Sequence, residues 1–295
     1  MTSDFAPVRE NSPAPRLTLI VATLGRTDEV AALLHSIPRA ARELVEVVVI
    51  DGNATPLTNV LEPFTRTLAL VHVRTFLRNA SAARNLGAAT AKAAWLMFPD
   101  DDARFASGAL ESLLGTIGTD TLDLVSGSIV DDEGKPHLLP WPAAPSPITS
   151  KTLDCTLVES SFAIRKTIFD AIGGFDPKFG PGGCFHSAEG ADLVRRLWQR
   201  RPVRALYTPA IRLHHPLKPN DASPAGLART FNFAVGEGAF TARHHRQLKR
   251  LTIGRKLLFR AAGIFISSGG RRQRKIAFLR GFFKGVLSYR RFHTP

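Results

Sequence analysis

The chain has few residues of several kinds, and each shortage excludes a class of protein. Two cysteines, Cys155 and Cys184, cannot build a disulfide framework, and they favour a reducing, cytoplasmic compartment. No stretch of about 18 apolar residues runs without a charge, which argues against a membrane-spanning helix. The N-terminus has no basic start followed by an apolar core, so we expect no signal peptide.

Acidic residues are missing from the C-terminal end of the chain. The formal net charge is +14. Residues 241–295 hold 15 of the 39 Lys and Arg residues and no Asp or Glu, which leaves 24 basic and 25 acidic residues for the rest. The imbalance therefore lies in this segment, and it favours an anionic partner such as a membrane surface, a nucleic acid or a phosphorylated substrate.

The order of apolar segments predicts the domain organisation. Residues 1–15 are proline-rich and predict a loose leader. Apolar strands then alternate with helices, which predicts a doubly wound, mostly parallel α/β sheet over residues 16–216, followed by a basic helical region over residues 217–295. The predicted strands are 17–23, 45–50, 68–73, 94–98, 122–130, 161–165 and 203–207, and the predicted helices are 30–37, 80–93, 110–114, 167–171, 188–200 and the region 225–290.

Three adjacent carboxylates, Asp100, Asp101 and Asp102, follow an apolar strand. Their mutual repulsion costs energy unless a cation offsets it. The carboxyl end of a parallel strand is where such sheets bind ligands. Mg²⁺ and Mn²⁺ prefer carboxylate oxygens and commonly keep phosphate ligands. The triplet therefore predicts a divalent metal site; the alternative is a solvated acidic turn.

Three more polar positions fit a nucleotide site. Asp51 ends the second strand, where a carboxylate can accept hydrogen bonds from a base or a ribose, or can form a turn or cap. We predict Asp51 and Asp102 at the carboxyl ends of neighbouring strands. Arg84 and Asn85 lie in an Ala-rich helix. An arginine at the edge of a nucleotide cleft suits a phosphate or a carboxylate, although it is also common on helix surfaces.

Two later motifs carry groups that could act on a proton or a metal. Glu189 and Asp192 share one face at a helix start, and a carboxylate there could be a general base. Acidic residues also favour helix N-termini for electrostatic reasons alone. His214 and His215 could ligate a metal or bind a phosphate, or they could form an exposed pair.

The order and spacing of these motifs resemble family 2 glycosyltransferases of the GT-A fold. The resemblance covers about residues 16–216. Residues 98–102, Phe-Pro-Asp-Asp-Asp, are similar to a Pro-Asp-Asp-Asp version of the family's Asp-x-Asp motif, and residues 173–176 match its Gly-Gly-Phe-Asp segment. Residues 185–193 are similar to its Glu-Asp-x-Asp-Leu motif, with Gly190 in place of the second acid. At the turn after the second strand, Asp51-Gly52-Asn53-Ala54 replaces the frequent Asp-Asp-Gly-Ser.

The resemblance implies inverting transfer of a sugar from a nucleotide-diphosphate donor to a hydroxyl of a glycan or lipid-linked acceptor, in surface polysaccharide synthesis. It implies a divalent cofactor, Mn²⁺ or Mg²⁺. Because Gly190 removes one candidate base, Glu189 is expected to take that role with Asp192 beside it. The implied metal ligands are Asp100, Asp102, His214 and His215, and the implied donor contacts are Thr23, Arg26, Asp51, Arg84, Asn85, Asp100 and Asp101.

Two functions of other classes are the alternatives. Nucleotidyl transfer uses a similar sheet and metal but typically begins with a Gly-rich phosphate loop before a Lys, a form that Val21–Arg26 lacks. A non-catalytic protein would hold nucleic acid on residues 241–295, which carry no recognised nucleic-acid motif, so we do not expect nucleic acid. Apolar clusters interleaved with Arg and Lys in that segment favour contact with the anionic inner face of a membrane, or packing on the sheet domain.

Overall fold

The structure is a computed structural model that describes residues 3–4, 14–119, 121–246, 248 and 250–293. Most of the predicted leader, residues 1–15, lies outside the described residues. The chain divides into two compact units: a sheet unit of Met1–Phe175 and Arg196–Leu217, and a helical unit of Asp176–Arg195 and Lys218–Pro295. The predicted domain limits at residues 16–216 and 217–295 stay a prediction.

The strands and helices of the described residues are numbered in chain order. The strands are β1 Ser3–Asp4, β2 Leu17–Thr23, β3 Val45–Asp51, β4 Ala69–Arg74, β5 Trp95–Met97, β6 Arg104–Phe105, β7 Leu124–Val130, β8 Ser146–Pro147, β9 Phe162–Arg165 and β10 Ala205–His214. The α-helices are α1 Asp28–His35, α2 Thr58–Thr65, α3 Ala80–Thr90, α4 Ala109–Ile117, α5 Leu153–Thr156, α6 Lys166–Ala171, α7 Glu189–Arg200, α8 Pro224–Arg243, α9 Arg250–Phe265 and α10 Gly269–His293.

These strands form one curled sheet in the sheet unit, in the order β1-β4-β3-β2-β5-β9-β7-β10-β6, with β8 paired to β10. Strands β4, β3, β2 and β5 run parallel to one another, and β7 runs parallel to β10. Strand β9 runs antiparallel to both β5 and β7 and so joins the two parallel groups. The prediction of a mostly parallel α/β sheet followed by C-terminal helices is confirmed.

The central strands form because their sequences are almost continuously apolar. Every residue of β3 is buried, and in β2 only Ala22 is partly exposed, as expected for parallel strands covered on both faces. Helix α3 packs close to this sheet because it is rich in small residues. A Cβ atom on Gly87 would overlap Cγ2 of Ile20. This close packing fixes where the polar residues of α3 lie relative to the strand ends.

The observed elements match most of the predicted ones. Strand β10 is longer than its predicted counterpart, since it continues from Ala205 to His214. The sequence predicts no element over residues 52–67, where the structure has α2 with Pro63 inside it. The short elements β6, β8 and α5 are also absent from the prediction, because two- to four-residue segments carry too little periodicity to be recognised.

The helical unit is built around α8 and α10. Their backbones approach closely at glycines, and a Cβ atom on Gly285 would overlap the carbonyl oxygen of Val235. Ala234, Phe278 and Phe282 form the buried cluster between these helices, and Leu257 of α9 packs against it. Among the residues that the structure describes, no helix is both long and apolar enough to cross a bilayer.

Candidate functional site

Polar side chains gather at one edge of the sheet because parallel strands end there. Strand β2 ends at Thr23, β3 ends at Asp51, and β5 is followed by the acidic triplet. Asp51 and Asp102 were predicted at the carboxyl ends of neighbouring strands, and this was wrong as to the strand order, because β2 lies between β3 and β5. All three strands run parallel, so their carboxyl ends still meet at the same edge.

The Asp51 carboxylate is fully buried and accepts hydrogen bonds from five donors of the chain. One oxygen accepts from the backbone N–H and the side-chain amide of Asn53, both at 2.9 Å. The other accepts from the Leu57 N–H at 2.9 Å, from His72 Nε2 at 2.9 Å and from Arg74 at 2.7 Å. Burial alone would raise the pKa of Asp51, but these bonds outweigh it and hold the pKa at about 2.

The geometry gives Asp51 a clear structural task, which is to fix the turn from Gly52 to Leu57 at the end of β3. A contact with a base or ribose stays a prediction. His72 and Arg74 are site residues that the sequence reasoning missed, although a signal existed. They are two positions apart on β4 and thus share a face, and Arg74 stands opposite Asp51 in the strand register.

The acidic triplet is held by two arginines of the sheet unit. Arg84 of α3 is buried and donates to Asp100 at 2.9 Å. The Arg26 guanidinium, just after β2, bonds Asp101 and lies 2.7 Å from an Asp102 oxygen. Two guanidinium groups thus face three carboxylates, which leaves the cluster with an excess of one negative charge when all are ionised. Arg26 and Arg84 were both predicted as site residues, and the structure brings them to the triplet.

Asp101 shows the electrostatic cost of this crowding. Burial raises the pKa of Asp101, and the Arg26 charge and the Thr23 hydroxyl offset that rise only in part. For Arg26, burial lowers the pKa, but the charges of Asp101 and Asp102 outweigh burial and raise it. The carboxylates therefore favour additional positive charge beside them.

Asp100, Asp102 and His215 form a group whose ligand atoms all lie within 4.8 Å of one another. His215 Nε2 is 3.3 Å from an Asp102 oxygen and 3.6 Å from an Asp100 oxygen. Its Nδ1 is 3.0 Å from the Pro216 carbonyl oxygen, which can only accept, so Nδ1 donates a proton there and Nε2 is the ring atom that faces the carboxylates. Two carboxylates and an imidazole nitrogen suit a divalent ion such as Mn²⁺.

The fourth predicted metal ligand, His214, is not in this group. His214 is the last residue of β10, and its Nδ1 donates to the carbonyl oxygen of Asp131 at 2.7 Å. Neighbouring residues of an extended chain point to opposite sides, so His214 and His215 cannot both reach the same carboxylates.

Asn85 of α3 holds the Gly-Gly-Phe-Asp segment. Its amide donates to the Phe175 carbonyl oxygen at 2.8 Å and accepts from the Phe175 N–H at 2.9 Å. Gly174 has a φ of +68°, and a Cβ atom there would lie 2.5 Å from the Asn85 oxygen. The motif thus keeps glycine because the backbone approaches Asn85 closely. A donor contact of Asn85 stays a prediction.

The two predicted catalytic carboxylates lie in the helical unit, in the first turn of α7. Glu189 is its first residue and is 5% exposed. Asp192 is fully buried, and one of its oxygens lies 2.9 Å from His244 Nε2 and 3.2 Å from Arg243 Nε. Just before Glu189, Ala188 has a φ of +72°, a conformation that costs energy in a residue with a side chain. The start of α7 is thus both strained and anchored.

Arg243 and His244 are the other partners that the sequence reasoning missed. They lie at the end of α8, and His244 is separated from Asp192 by 52 positions in the sequence. Arg243 also donates to Asp176 at 2.6 Å. Nothing local in a basic segment distinguishes these two residues from the surrounding solvated arginines and histidines, so only the tertiary structure reveals their pairing.

Comparison with known sequences agrees with this geometry. Residues 18–175, more than half of the chain, match the family described as glycosyl transferase family 2. A curated protein of Haemophilus influenzae, named an uncharacterized glycosyltransferase, is 32% identical over 101 residues. That match covers 34% of this chain and 34% of the relative, so the chain spans about a third of the length of that relative.

Solved structures share the fold at low sequence identity. The mannosyltransferase PcManGT from Pyrobaculum calidifontis, in complex with GDP-Man and Mn²⁺, is 15% identical with a TM-score of 0.59, over 100% of this chain and 80% of that one. S. aureus TarS 1-349, in complex with UDP-GlcNAc, is 14% identical with a TM-score of 0.56, over 94% and 92% of the two chains. The fold is therefore of the GT-A type, and the chain belongs to glycosyl transferase family 2.

Proposed function

We propose that the protein is a glycosyltransferase that moves a sugar from a nucleotide-diphosphate donor to a hydroxyl of a glycan or lipid-linked acceptor, with inversion at the anomeric carbon. The observation that carries the proposal is the group of Asp100, Asp102 and His215 at the carboxyl-terminal edge of a family 2 sheet. A similar fold that holds GDP-Man with Mn²⁺ supports a nucleotide-sugar donor.

A divalent cation, Mn²⁺ or Mg²⁺, would be held by Asp100, Asp102 and His215. When bound, such an ion neutralises a diphosphate and makes it a better leaving group. Arg84 and Arg26 keep the three carboxylates of the triplet in place through their ion pairs. The residues present therefore fit the ion in both donor chemistry and charge.

The donor contacts are assigned to the same edge of the sheet unit. Thr23 ends β2 and Arg26 follows it, and both already touch Asp101 of the triplet. Arg26 carries its charge at a partly exposed position, where a diphosphate oxygen could be bound. Asp51 acts on the donor through the turn that it fixes after β3, which shapes the position for the nucleoside.

Glu189 is the proposed general base. Its carboxylate takes the proton of the acceptor hydroxyl while that oxygen attacks the anomeric carbon, and the bond from this carbon to the diphosphate oxygen breaks with its electron pair leaving on the diphosphate. Asp192 supports this step as a positioning residue, because His244 and Arg243 anchor it one turn further along α7.

The cellular role is proposed as surface polysaccharide synthesis at the inner face of a membrane. Lipid-linked acceptors lie in such a membrane, and residues 241–295 carry 15 basic and no acidic side chains. A protein of this charge is attracted to an anionic membrane surface and can be held there peripherally.

A donor panel tests the proposed reaction. The full-length protein is offered a series of nucleotide-sugars with Mn²⁺, with and without a chelator, and the released nucleoside is analysed. We expect nucleoside diphosphate from one donor class, and its loss with the chelator. Release of nucleoside monophosphate or pyrophosphate would instead indicate nucleotidyl transfer, and no turnover of any donor in the presence of an acceptor extract would contradict the proposal.

A further inference from the structure

Helix α9 turns large apolar side chains to the outside of the helical unit. Leu258 is 68% exposed and Phe259 is 71% exposed. At the end of the helix and just after it, Phe265 is 88% exposed and Ile266 is 87% exposed. These four residues are called the α9 tip. Phe265 follows Leu258 by seven positions, which is about two turns of a helix, so these two residues share one side of α9, with Phe259 next to Leu258 and Ile266 just beyond the helix end.

The opposite side of α9 is the one that packs on the helical unit. Ile253 and Leu257 contact the buried cluster of Ala234, Phe278 and Phe282. An amphipathic helix that has already buried one apolar side normally presents polar residues to water on the other. Apolar residues on both sides indicate that the outward side is made for a second apolar environment.

Basic residues lie on both sides of the α9 tip in the sequence, and they indicate the charge of that environment. Arg255 is exposed one turn before the tip, and Arg271 and Arg272 are exposed at the start of α10. No acidic residue occurs anywhere after Glu237 in the sequence. Exposed arginines close in sequence to exposed Phe, Leu and Ile side chains match the two layers of an anionic bilayer surface, its phosphate headgroups and its acyl chains.

The connection between α9 and α10 is held in place from within. The Lys275 ammonium donates to the Gly263 carbonyl oxygen at 3.0 Å and to the Ser267 hydroxyl at 2.8 Å. The Arg274 guanidinium donates to the Asn220 carbonyl oxygen at 2.6 Å. These bonds tie α10 to the end of α9 and to the segment before α8. The last two residues of the α9 tip are therefore presented on an ordered turn, which lowers the entropy lost on binding.

We infer that the α9 tip inserts into the surface of an anionic lipid bilayer, with Arg255, Arg271 and Arg272 at the headgroup level. This inference rests on the proposed peripheral location and deepens it, because it assigns the contact to particular residues. It does not depend on sugar transfer, so vesicle binding and donor turnover can fail separately. Lipid is favoured over nucleic acid because half of the tip, Leu258 and Ile266, is aliphatic: these side chains gain by leaving water but offer no face on which a base could stack.

Vesicle co-sedimentation of the full chain tests the inference. Vesicles that mix phosphatidylcholine with phosphatidylglycerol are compared with vesicles of phosphatidylcholine alone. The double variant Phe265→Ser/Ile266→Ser should bind the anionic vesicles about tenfold more weakly or worse, because two large apolar side chains no longer leave water. The variants Arg271→Gln and Arg272→Gln should each weaken binding about fivefold. Leu138→Ser, which removes a 59% exposed apolar residue of the sheet unit, is the matched control and should bind as the wild type does.

A spectroscopic variant separates insertion from electrostatic adhesion. In the Ile266→Trp variant, the emission of the new tryptophan is obtained by subtracting the wild-type spectrum. This emission should shift to the blue with anionic vesicles and be quenched by lipids brominated on their acyl chains. The inference would be overturned if the double serine variant bound vesicles as the wild type does, or if Leu138→Ser lost as much binding. It would also be overturned if the added tryptophan of Ile266→Trp kept the emission of a solvent-exposed residue on vesicles. RNA binding that is tighter than vesicle binding and depends on the same arginines would overturn it as well.

Discussion

The two units of the chain use charged residues in opposite ways. At the strand ends of the sheet unit, acidic and basic side chains pair with each other: Arg84 with Asp100, Arg26 with Asp101 and Asp102, Arg74 with Asp51. In the helical unit, ion pairs join Asp176 and Asp192 to Arg243 and His244 near the start of α7. Beyond His244 every charged residue of the sequence is basic.

The difference separates internal sites from external ones. A carboxylate that is fixed by an opposite charge keeps its position without a ligand, so it can be used to build a site of defined geometry. Charges of one sign gain nothing from each other and are satisfied by solvent or by a partner of opposite charge. The two proposals follow this division: a small anionic donor is assigned to the sheet unit, and a large anionic surface is assigned to the basic helices α9 and α10.

The largest effect is expected at the start of α7, where the helical unit has its internal pairs. Glu189→Gln keeps the shape of the side chain and removes its basicity, so transfer to the acceptor should fall by about 10²–10⁴-fold while donor binding persists. Initial transfer rates and donor titrations of the same preparation check this. A comparable loss in Asp192→Asn with an active Glu189→Gln enzyme would reverse the two roles.

Asp51 tests how much stability internal pairing contributes in the sheet unit. Its pKa is lowered from 3.8 to about 2, so this carboxylate favours the folded state by about 2 kcal/mol above pH 4, and the contribution is lost as the pH falls through about 2. Asp51→Asn should lower the free energy of unfolding at neutral pH by about 3 kcal/mol, because it breaks a buried charged network.

Urea unfolding of both proteins between neutral and acidic pH provides the measurement. The difference in the free energy of unfolding between the wild type and Asp51→Asn should become smaller as the pH falls. Asp132→Asn, which alters a carboxylate that is 71% exposed, serves as the control and should leave stability nearly unchanged. A difference in unfolding free energy that is the same at every pH would show that the Asp51 charge does not stabilise the fold.

A smaller loss of stability is expected at Asn85, which forms hydrogen bonds between uncharged groups. Asn85→Ala removes both hydrogen bonds to the Phe175 backbone and leaves a buried N–H and carbonyl without them, so it should cost about 2 kcal/mol of stability. Asn59→Ala on the exposed side of α2 is the matched control. Equal midpoints of urea unfolding for the two variants would show that the hydrogen bonds of Asn85 to Phe175 do not stabilise this segment.

The smallest expected effect concerns the balance of charge at the triplet. Arg26→Gln removes a guanidinium beside Asp101 and Asp102, so Mn²⁺ alone should bind about tenfold more tightly. Calorimetric titration with Mn²⁺ in the absence of donor measures this. Arg104→Gln, which removes a surface arginine paired with Asp132, should leave Mn²⁺ binding unchanged. Weaker Mn²⁺ binding to Arg26→Gln would show that this arginine does not compete with a cation.

The fold could be predicted from sequence largely because its central strands are continuously apolar. The predicted strand 17–23 coincides with β2, and the predicted strand 45–50 differs from β3 by one residue. The antiparallel direction of β9 could not be predicted, since strand direction is set by the path of the chain around it. Helix α2 was missed because Pro63 interrupts its pattern, although proline is tolerated there once the packing is made.

The site was predictable where it depends on strand ends and unpredictable where it depends on distant pairing. Asp51 and the acidic triplet could be located because each follows an apolar strand. Arg26 and Asp101 are 75 positions apart, and their contact depends on which strands are neighbours. The sequence could not tell which of His214 and His215 points to the triplet. The side of the sheet to which a side chain points depends on strand register, and a pair of adjacent histidines does not reveal that register.

The most direct test of the account is whether Asp102 is needed for metal-supported binding of a nucleoside diphosphate. Calorimetry is carried out with a nucleoside diphosphate and Mn²⁺ on the wild type, on Asp102→Ala and on the surface control Asp132→Asn. We expect strong binding to the wild type and the control, and abolished binding to Asp102→Ala, because one of a small set of hard ligands is lost. Binding to Asp102→Ala that equals the wild type in affinity and in Mn²⁺ dependence would contradict it.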